Sequence, residues 1–243
     1  LFHAMFSVML FCMVFMLYPR ASISAKRIMA VLNTETSIEN HPGNAQTDSG
    51  SGEHSVIFEH VDFVYPDGEE AVLKDISFSA KSGETVAFIG STGSGKSSLI
   101  QLIPRFYDRA SGNIYIDGQK IEDLDINALR SKIGFVPQKA HLFSGTIEEN
   151  IRFGKPDATM DEIIHAAKIA QAYDFIMEKP HQFQEQIVEG ATNVSGGQKQ
   201  RLSIARALIR KPEIYIYDDS FSALDFKTDA RLRKALKPEI KNA

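Results

Sequence analysis

Cysteine occurs once in this chain, at Cys12, which excludes an internal disulfide and a multi-cysteine zinc site. Basic residues are not in excess: the net charge is −4, so there is no broad electrostatic case for nucleic-acid binding. The seven histidines are scattered without ligand spacing, and their default role is surface or local hydrogen bonding. Apolar residues are scarce from Asn40 to His54, where Pro42, Gly43, Gly50 and Gly52 sit among Ser, Asn and Asp; this reads as a linker. From Leu1 to Tyr18 there is no Asp, Glu, Lys or Arg at all. With 43% hydrophobic and 24% charged residues in 243, the remainder suits one sizeable globular domain carrying an extension.

The uncharged start is rich in Phe, Met, Leu and Val. At 1.5 Å per residue it spans roughly 27 Å, just short of a bilayer core. A signal peptide would need a basic leader and a cleavage site of small residues, and neither is present. The chain also begins with Leu rather than Met. Residues 1–18 are therefore expected to be the remaining part of a transmembrane helix; a buried core helix is the other reading. Arg20, Lys26 and Arg27 follow at once, which puts everything downstream in the cytoplasm. Pro19 is expected to end or kink the membrane segment. Ala21 to Leu32 has helical periodicity, so residues 19–39 are expected to form a connecting helix, followed by the linker at 40–54 and a globular domain over 55–243.

The nine residues Gly90, Ser91, Thr92, Gly93, Ser94, Gly95, Lys96, Ser97 and Ser98 fit the phosphate-loop pattern Gly-x4-Gly-Lys-Ser. Thr85–Ile89 before them reads as a short buried strand, and Ser98–Ile103 after them as a helix start, which is the context the motif requires. Glycines let consecutive backbone N–H groups point at phosphate oxygens, and the helix N-terminus adds its dipole. Lys96 would reach the β- and γ-phosphates, and the Ser97 hydroxyl would ligate Mg²⁺. A Gly/Ser-rich loop with one exposed lysine is the plainer alternative.

Further along, Ser195, Gly196, Gly197 and Gln198 precede a helix-like run, Leu202–Leu208, and then an apolar strand, Ile214–Tyr217, that ends in Asp218. Alone, Ser-Gly-Gly-Gln could be a helix cap. Between a phosphate loop and a strand-terminal aspartate it resembles the signature of ATP-binding cassette (ABC) proteins, with Val194 standing where the family usually has Leu. The resemblance implies a dimer that sandwiches two ATPs, the signature docking on the γ-phosphate held by the opposing domain.

Other residues acquire roles through that resemblance. Tyr65, at the end of the strand-like run Val56–Tyr65, matches the aromatic that stacks on adenine; a half-buried strand tyrosine is the alternative. Gln138, after Ile133–Val136, matches the glutamine that contacts Mg²⁺ and the attacking water and links to the membrane domain. His141–Ile147 resembles exporters rather than importers. Asp161–Phe175 is amphipathic and helical, within a helical subdomain over about 141–205. Ile114–Ile121 reads as a hairpin with an Asp-Gly turn.

Asp218 matches the carboxylate that holds Mg²⁺. The next residue departs from the usual pattern: hydrolytically competent sites carry Glu there, and this chain carries Asp219. One methylene fewer withdraws the carboxylate by about 1 Å, a displacement that costs on the order of 100-fold in rate. Asp219 is thus expected to be a weak base and the site slow. Heteromeric exporters of bacterial multidrug type pair such a site with a competent one, so a heterodimer with a second half-transporter is expected; a homodimer in which Asp219 works at reduced rate is the alternative. Ser222–Asp225 matches the segment that crosses the dimer interface. The family has a further strand with a switch histidine, and the chain stops before it, so an exposed sheet edge and poor stability in isolation are expected.

The expected fold is α/β: a parallel P-loop NTPase sheet, an antiparallel β subdomain and a helical subdomain. The resemblance implies ATP and Mg²⁺ as ligands, with Lys96, Gln138 and Asp219 catalytic, Ser97, Gln138 and Asp218 on the metal, and Ser195–Gln198 with Asp225 on the partner's ATP. It also implies a plasma-membrane, multi-pass parent that exports a small molecule or lipid. Two rivals stay open: a soluble ABC ATPase acting on DNA or ribosomes, and a regulatory subunit that binds nucleotide but hydrolyses little.

Overall fold

The computed structural model describes residues 1–36, 38–40 and 55–243, so most of the expected linker lies outside the described residues. The chain divides into two units, Leu1–Glu39 and Asn40–Ala243.

The first unit is a single helix, α1 (Phe2–Leu32), ended by Asn33, whose N–H bonds the carbonyls of Met29 and Val31. None of its residues is buried, and its most apolar window has a mean hydropathy of 1.8, so it is long and apolar enough to cross a membrane. One continuous helix runs through Pro19, which therefore does not end it. Proline's fixed φ is itself helical, and in an apolar setting the helix absorbs the one missing N–H.

In the second unit, β1 (Ser55–Phe63), β2 (Leu73–Lys81), β3 (Ser111–Ile116) and β4 (Gln119–Lys120) form an antiparallel sheet in the order β2-β1-β3-β4. Helix α2 (Lys96–Leu102) lies between β2 and β3 in sequence. Strand β1 buries Val56 and Phe58, then Val61 and Phe63, so its inward positions switch from even to odd numbers. A bulge causes the switch: the register shifts after Phe58 and again around Val61, and His60 takes a φ of 50°. Gly112 on β3 is required opposite it, because a Cβ there would lie 2.2 Å from the His60 carbonyl oxygen. Asp117 and Gly118, both at positive φ, make the expected two-residue turn between β3 and β4.

After α3 (Ile126–Ser131) comes β5 (Ile133–Val136), which pairs in parallel with β8 (Ile214–Tyr217), Ile133 opposite Ile214 and Val136 opposite Tyr217. Between these strands lie β6 (Gly145–Thr146), α4 (Ile147–Arg152), α5 (Met160–Ile169), α6 (Tyr173–Met177), β7 (Gln186–Ile187) and α7 (Gly196–Leu208); α8 (Phe226–Glu239) follows β8. Thr146 with Glu149, Thr159 with Glu162 and Ser195 with Gln198 start α4, α5 and α7, each as a reciprocal capping box. The single helix expected over Asp161–Phe175 is instead two, α5 and α6, separated by Gln171 at a φ of 56°, a conformation that breaks helical hydrogen bonding.

Two apolar clusters hold this unit. One gathers Phe58, Phe63, Leu102, Ile114 and Ile216 beneath the antiparallel sheet and α2. The other gathers Ile147, Ile151, Ile163, Ile176 and Leu202 among the helices. Strands β5 and β8 run between them: Ile133 and Ile216 join the first, Val136 the second.

The expected buried strand Thr85–Ile89 is corrected. It is irregular and largely exposed, with Ile89 96% accessible and only Phe88 half-buried against the first cluster, and it has no strand partner among the described residues. Its residues suit a strand, but strand structure requires a ladder partner for the backbone N–H and C=O groups.

Candidate nucleotide site

The loop between Gly90 and Lys96 closes on itself. Ser94 N–H donates to the Ser91 carbonyl at 3.2 Å, and Gly95, at a φ of 85°, starts α2. Gly95 must be glycine twice over: its backbone is left-handed, and a Cβ would lie 2.9 Å from the Leu73 side chain. Lys96 folds back along the loop, its Nζ donating to the carbonyls of Gly90 and Ser91 at 2.9 and 2.7 Å and to Ser94 Oγ at 3.3 Å. The cation thus sits inside the loop rim, while Ser91, Thr92, Gly93 and Ser94 stay exposed.

Beside it, Ser97 Oγ donates to Asp218 Oδ1 at 2.9 Å, across 121 positions of sequence. Asp218 N–H in turn bonds the Val136 carbonyl at 3.0 Å, so the ends of β5 and β8 are level. Gln138, two residues past β5, donates from Nε2 to Asp219 Oδ2 at 3.4 Å. A hydroxyl, two carboxylates and an amide therefore converge at the C-terminal ends of two parallel strands, the place where ligands bind in open α/β sheets. Asp219 has a φ of 47°, a left-handed backbone that Asp accepts more readily than most residues. Its carbonyl accepts from Ser222 Oγ at 2.9 Å.

Two oxygens, Ser97 Oγ and an Asp218 carboxylate oxygen, are thus brought together, and these are the hard ligands Mg²⁺ takes when it keeps several waters and leans on substrate phosphates. The donor set fits that ion.

Tyr65 and Ser98 are also joined: their hydroxyl oxygens are 2.8 Å apart. The Ser98 side chain is buried against Tyr65 instead of lying along the open loop. The signature residues do different work within this chain. Ser195 and Gln198 form the capping box of α7, and Gly197 packs on the Ala223 carbonyl. A Cβ on Gly196 would meet nothing within 4 Å, so no internal packing demands glycine there; the position faces open space. Asp225 caps α8, its Oδ1 accepting from Thr228 N–H at 2.9 Å, and its hydrogen bonds to the Thr228 side chain first and the Thr228 backbone second hold its carboxyl below the usual carboxylate range.

Three supporting residues escaped the sequence reading. Ser220 is fully buried and donates to the Val136 carbonyl at 2.8 Å, locking the exit of β8 onto the end of β5. Gln200, buried on α7, donates to the Pro137 carbonyl at 3.3 Å and so joins the signature helix to the loop bearing Gln138. Arg206, also on α7, donates to the Asn150 carbonyl, Asn150 Oδ1 and the His141 carbonyl. Each is a polar residue on an otherwise ordinary helix or turn. Only the capping-box spacing from Ser195 to Gln198 gave any local signal.

A phosphate loop, a strand-terminal carboxylate beside it and a glutamine on the neighbouring strand end define a nucleotide-binding P-loop domain. Residues 73–222 match the family described as ABC transporter, and the chain belongs to that family. It is 49% identical over 227 residues to the uncharacterized ABC transporter ATP-binding protein YfiB of Bacillus subtilis (strain 168), covering 93% of this chain and 39% of that protein. It is 50% identical over 181 residues to a Staphylococcus aureus (strain NCTC 8325 / PS 47) protein provisionally named a multidrug export ATP-binding/permease protein, covering 74% of this chain and 31% of the relative. The solved structure of a bacterial Atm1-family ABC exporter with ATP bound superposes with a TM-score of 0.84 at 33% identity, over 95% of this chain and 40% of that one. The chain thus spans well under half the length of these relatives.

Proposed function

We propose that this chain is the ATP-binding part of an exporter half-transporter, in which ATP binding and hydrolysis drive a substrate across a membrane. The observation that carries this reading is the convergence of Lys96, Ser97, Asp218, Gln138 and Asp219 at one end of β5 and β8. The loop amides and Lys96 bind the phosphates. Ser97 and Asp218 would hold Mg²⁺, which would neutralise charge on the phosphates. Gln138 orients a water, and Asp219 accepts its proton as the water oxygen bonds the γ-phosphorus and the bond to the β–γ bridging oxygen breaks, leaving ADP and phosphate. Tyr65 offers the adenine a ring face.

The reading includes a second half-transporter. The open approach to Gly196 leaves room for a γ-phosphate presented by another subunit, and Asp225 lies near that face on the segment after Ala223. The short reach of Asp219 favours a heterodimer in which the partner holds the faster site. Helix α1 and the basic residues after Tyr18 support a membrane-anchored parent in the plasma membrane with its ATPase domain in the cytoplasm. The groove lined by Phe106, Arg130, Phe135, Phe153, Arg206 and Arg210 contains no acidic residue and adjoins Pro137; it suits an apolar, acidic cytoplasmic end of the membrane domain. The multidrug export name of the staphylococcal relative favours a small molecule as cargo, with a lipid as the alternative. Asp219 also supports a second reading, a regulatory subunit that binds ATP with little turnover.

The test is the ATPase rate of the full-length parent with its partner, comparing wild type, Asp219→Glu and Asp219→Asn. A faster Glu variant and a nearly unaffected Asn variant support the slow site of a heterodimer. Loss of all hydrolysis in the Asn variant instead makes Asp219 the working base and favours a homodimer. ATP binding that survives Lys96→Ala would refute the site altogether.

A further inference from the structure

Asn40 is the first residue of the second unit, and residues 33–39 join it to the end of α1. Its side chain bonds residues 85 and 86 positions further along the chain, at the start of α3. Nδ2 donates to Asp125 Oδ2 at 2.9 Å, and Oδ1 accepts from Ile126 N–H at 3.0 Å. One amide thus gives a bond and takes a bond at two adjacent residues, and two-point contact of this kind fixes orientation as a single bond does not.

The first N–H groups of a helix have no partner inside it. In α3 they are met by two side chains from distant parts of the sequence. Asp125, the N-cap, accepts from Ala128 N–H at 2.9 Å, and Asn40 takes Ile126 N–H. An N-cap alone satisfies the usual requirement of a helix start. Asn40 adds a second attachment, and its bond is the foremost reason that the Asp125 carboxyl lies below its usual range. The cap of α3 therefore also serves as a fastening point for the segment that follows α1.

The element so fastened is firmly seated. Leu129 is buried in the first cluster, and Arg130 donates to the carbonyls of Pro104 and Arg105 at 3.0 and 2.9 Å. Lys132 bonds Asp117 at 2.5 Å and lies 3.2 Å from Glu213. Strand β5 follows directly, and Gln138, two residues past its end, reaches Asp219. Chains of well-packed elements with fixed joints are what carry coupling between distant sites.

We propose that Asn40 and Asp125 form a clasp that fastens the segment after α1 to α3, so that movement of the membrane helix is linked to the strand end that bears Gln138. This rests on the reading of α1 as a membrane helix and of the site as one for ATP, and it adds a mechanical link internal to this chain. A carboxylate at position 40 would still accept from Ile126 N–H, but it would face Asp125 with like charge and no proton to donate. Exchanging the two side chains keeps every bond: the carboxylate, now at 40, accepts from Ile126 N–H and from the amide at 125, whose oxygen still caps Ala128 N–H.

The test uses the full-length transporter with its partner in phospholipid vesicles, its other cysteines replaced, with an environment-sensitive fluorophore on Cys12 of α1. The emission change on trapping with MgATP and vanadate reports movement of α1, and the ATPase rate is measured beside it. Asn40→Ala and Asn40→Asp are each expected to lose most of the emission change, while the ATPase rate at saturating ATP stays within about twofold of wild type. The Asn40→Asp/Asp125→Asn double variant should recover the change, because the two substitutions are coupled through one pair of bonds. A full emission change in both single variants overturns the proposal. So does a double variant no better than Asn40→Asp, which would mean that position 40 acts through something other than Asp125. A wild type that hydrolyses ATP with no change at Cys12 also overturns it. Lys96→Ala separates the levels: ATP binding that survives it overturns the site reading, whereas binding lost there, with Asn40 variants that respond like wild type, overturns the clasp alone.

Discussion

Two short apolar segments lead into this site, and they are held very differently. Ile214–Tyr217 and Thr85–Ile89 have similar compositions, and each delivers a functional group at its end: Asp218 from the first, the phosphate loop from the second. The first is β8. It pairs with β5 residue for residue, buries Ile216 at 5% exposure, and is fixed at its exit by the Asp218 N–H bond and the Ser220 hydroxyl, both to Val136. The second has no ladder partner among the described residues and leaves Ile89 96% exposed. Among those residues its one anchor is Phe88, half-buried with its ring 4.9 Å from that of Phe78, so the phosphate loop takes most of its order from its far side: from the Lys96 bonds within the loop, from α2, and from the packing of Gly95 on Leu73. A run of β-branched and aromatic residues is a capacity for strand structure, and pairing decides whether it is realised.

The sharpest way to break this comparison is Ile216→Ala. The side chain is buried in the first cluster, so truncation removes apolar burial and leaves a cavity, at a cost of about 2–5 kcal/mol. Chemical denaturation should show that loss in the β5–β8 region, together with a fall in ATPase rate as Asp218 loses its support. An Ile216→Ala protein as stable as wild type would mean that β8 is not the better-anchored segment.

Next comes Ser220→Ala. The Val136 carbonyl keeps only part of its bonding, and the exit of β8 is freed beside Asp219. Leaving a buried acceptor short of its partner costs about 1–3 kcal/mol. The expected result is a lower melting temperature and a larger proportional loss of kcat than of ATP affinity, read by calorimetry and steady-state kinetics. A change in ATP affinity alone would argue against a role at the β8 exit.

What could be read from the sequence divides along the same line. The phosphate loop, the strand ending at Asp218, the Asp117–Gly118 turn and the Ser195–Gln198 cap are local patterns, each carried by a few adjacent residues whose backbone or capping chemistry is distinctive. The bulge at His60 is different: it shifts the inward face of β1 from Phe58 to Val61, and only the partner strand and Gly112 reveal it. Ser220 and Gln200 look like any polar residue until burial makes their hydrogen bonding compulsory. Pro19 does not end its helix, because its φ is already helical. The absent pairing of Thr85–Ile89 is invisible in the segment itself, since a ladder is a property of two strands.

On the loosely held side, Ile89→Ala should change stability by less than about 0.5 kcal/mol, because the removed atoms were already in water. The contrast with Ile216→Ala, an identical substitution at the other segment, is the direct measure of the asymmetry. A loss at Ile89 comparable to that at Ile216 would show that some other element covers this segment in the working protein.

The smallest effect concerns the far end of the well-anchored side. Asp225 caps α8, and its carboxyl sits below the usual range chiefly because of its hydrogen bond to the Thr228 side chain, with the Thr228 N–H bond adding to it. A carboxyl whose folded value lies below its unfolded value stabilises the fold at every pH above the unfolded value near 4, and that contribution is lost as pH falls through the folded value. Asn also caps helices but carries no charge. Asp225→Asn should therefore melt slightly below wild type near pH 7, with the difference closing as the pH drops below about 4. Melting curves of both proteins across that interval test it. A gap that stays constant with pH would assign the cap to its hydrogen bond alone, and one that widens in acid would reverse the sign argued here.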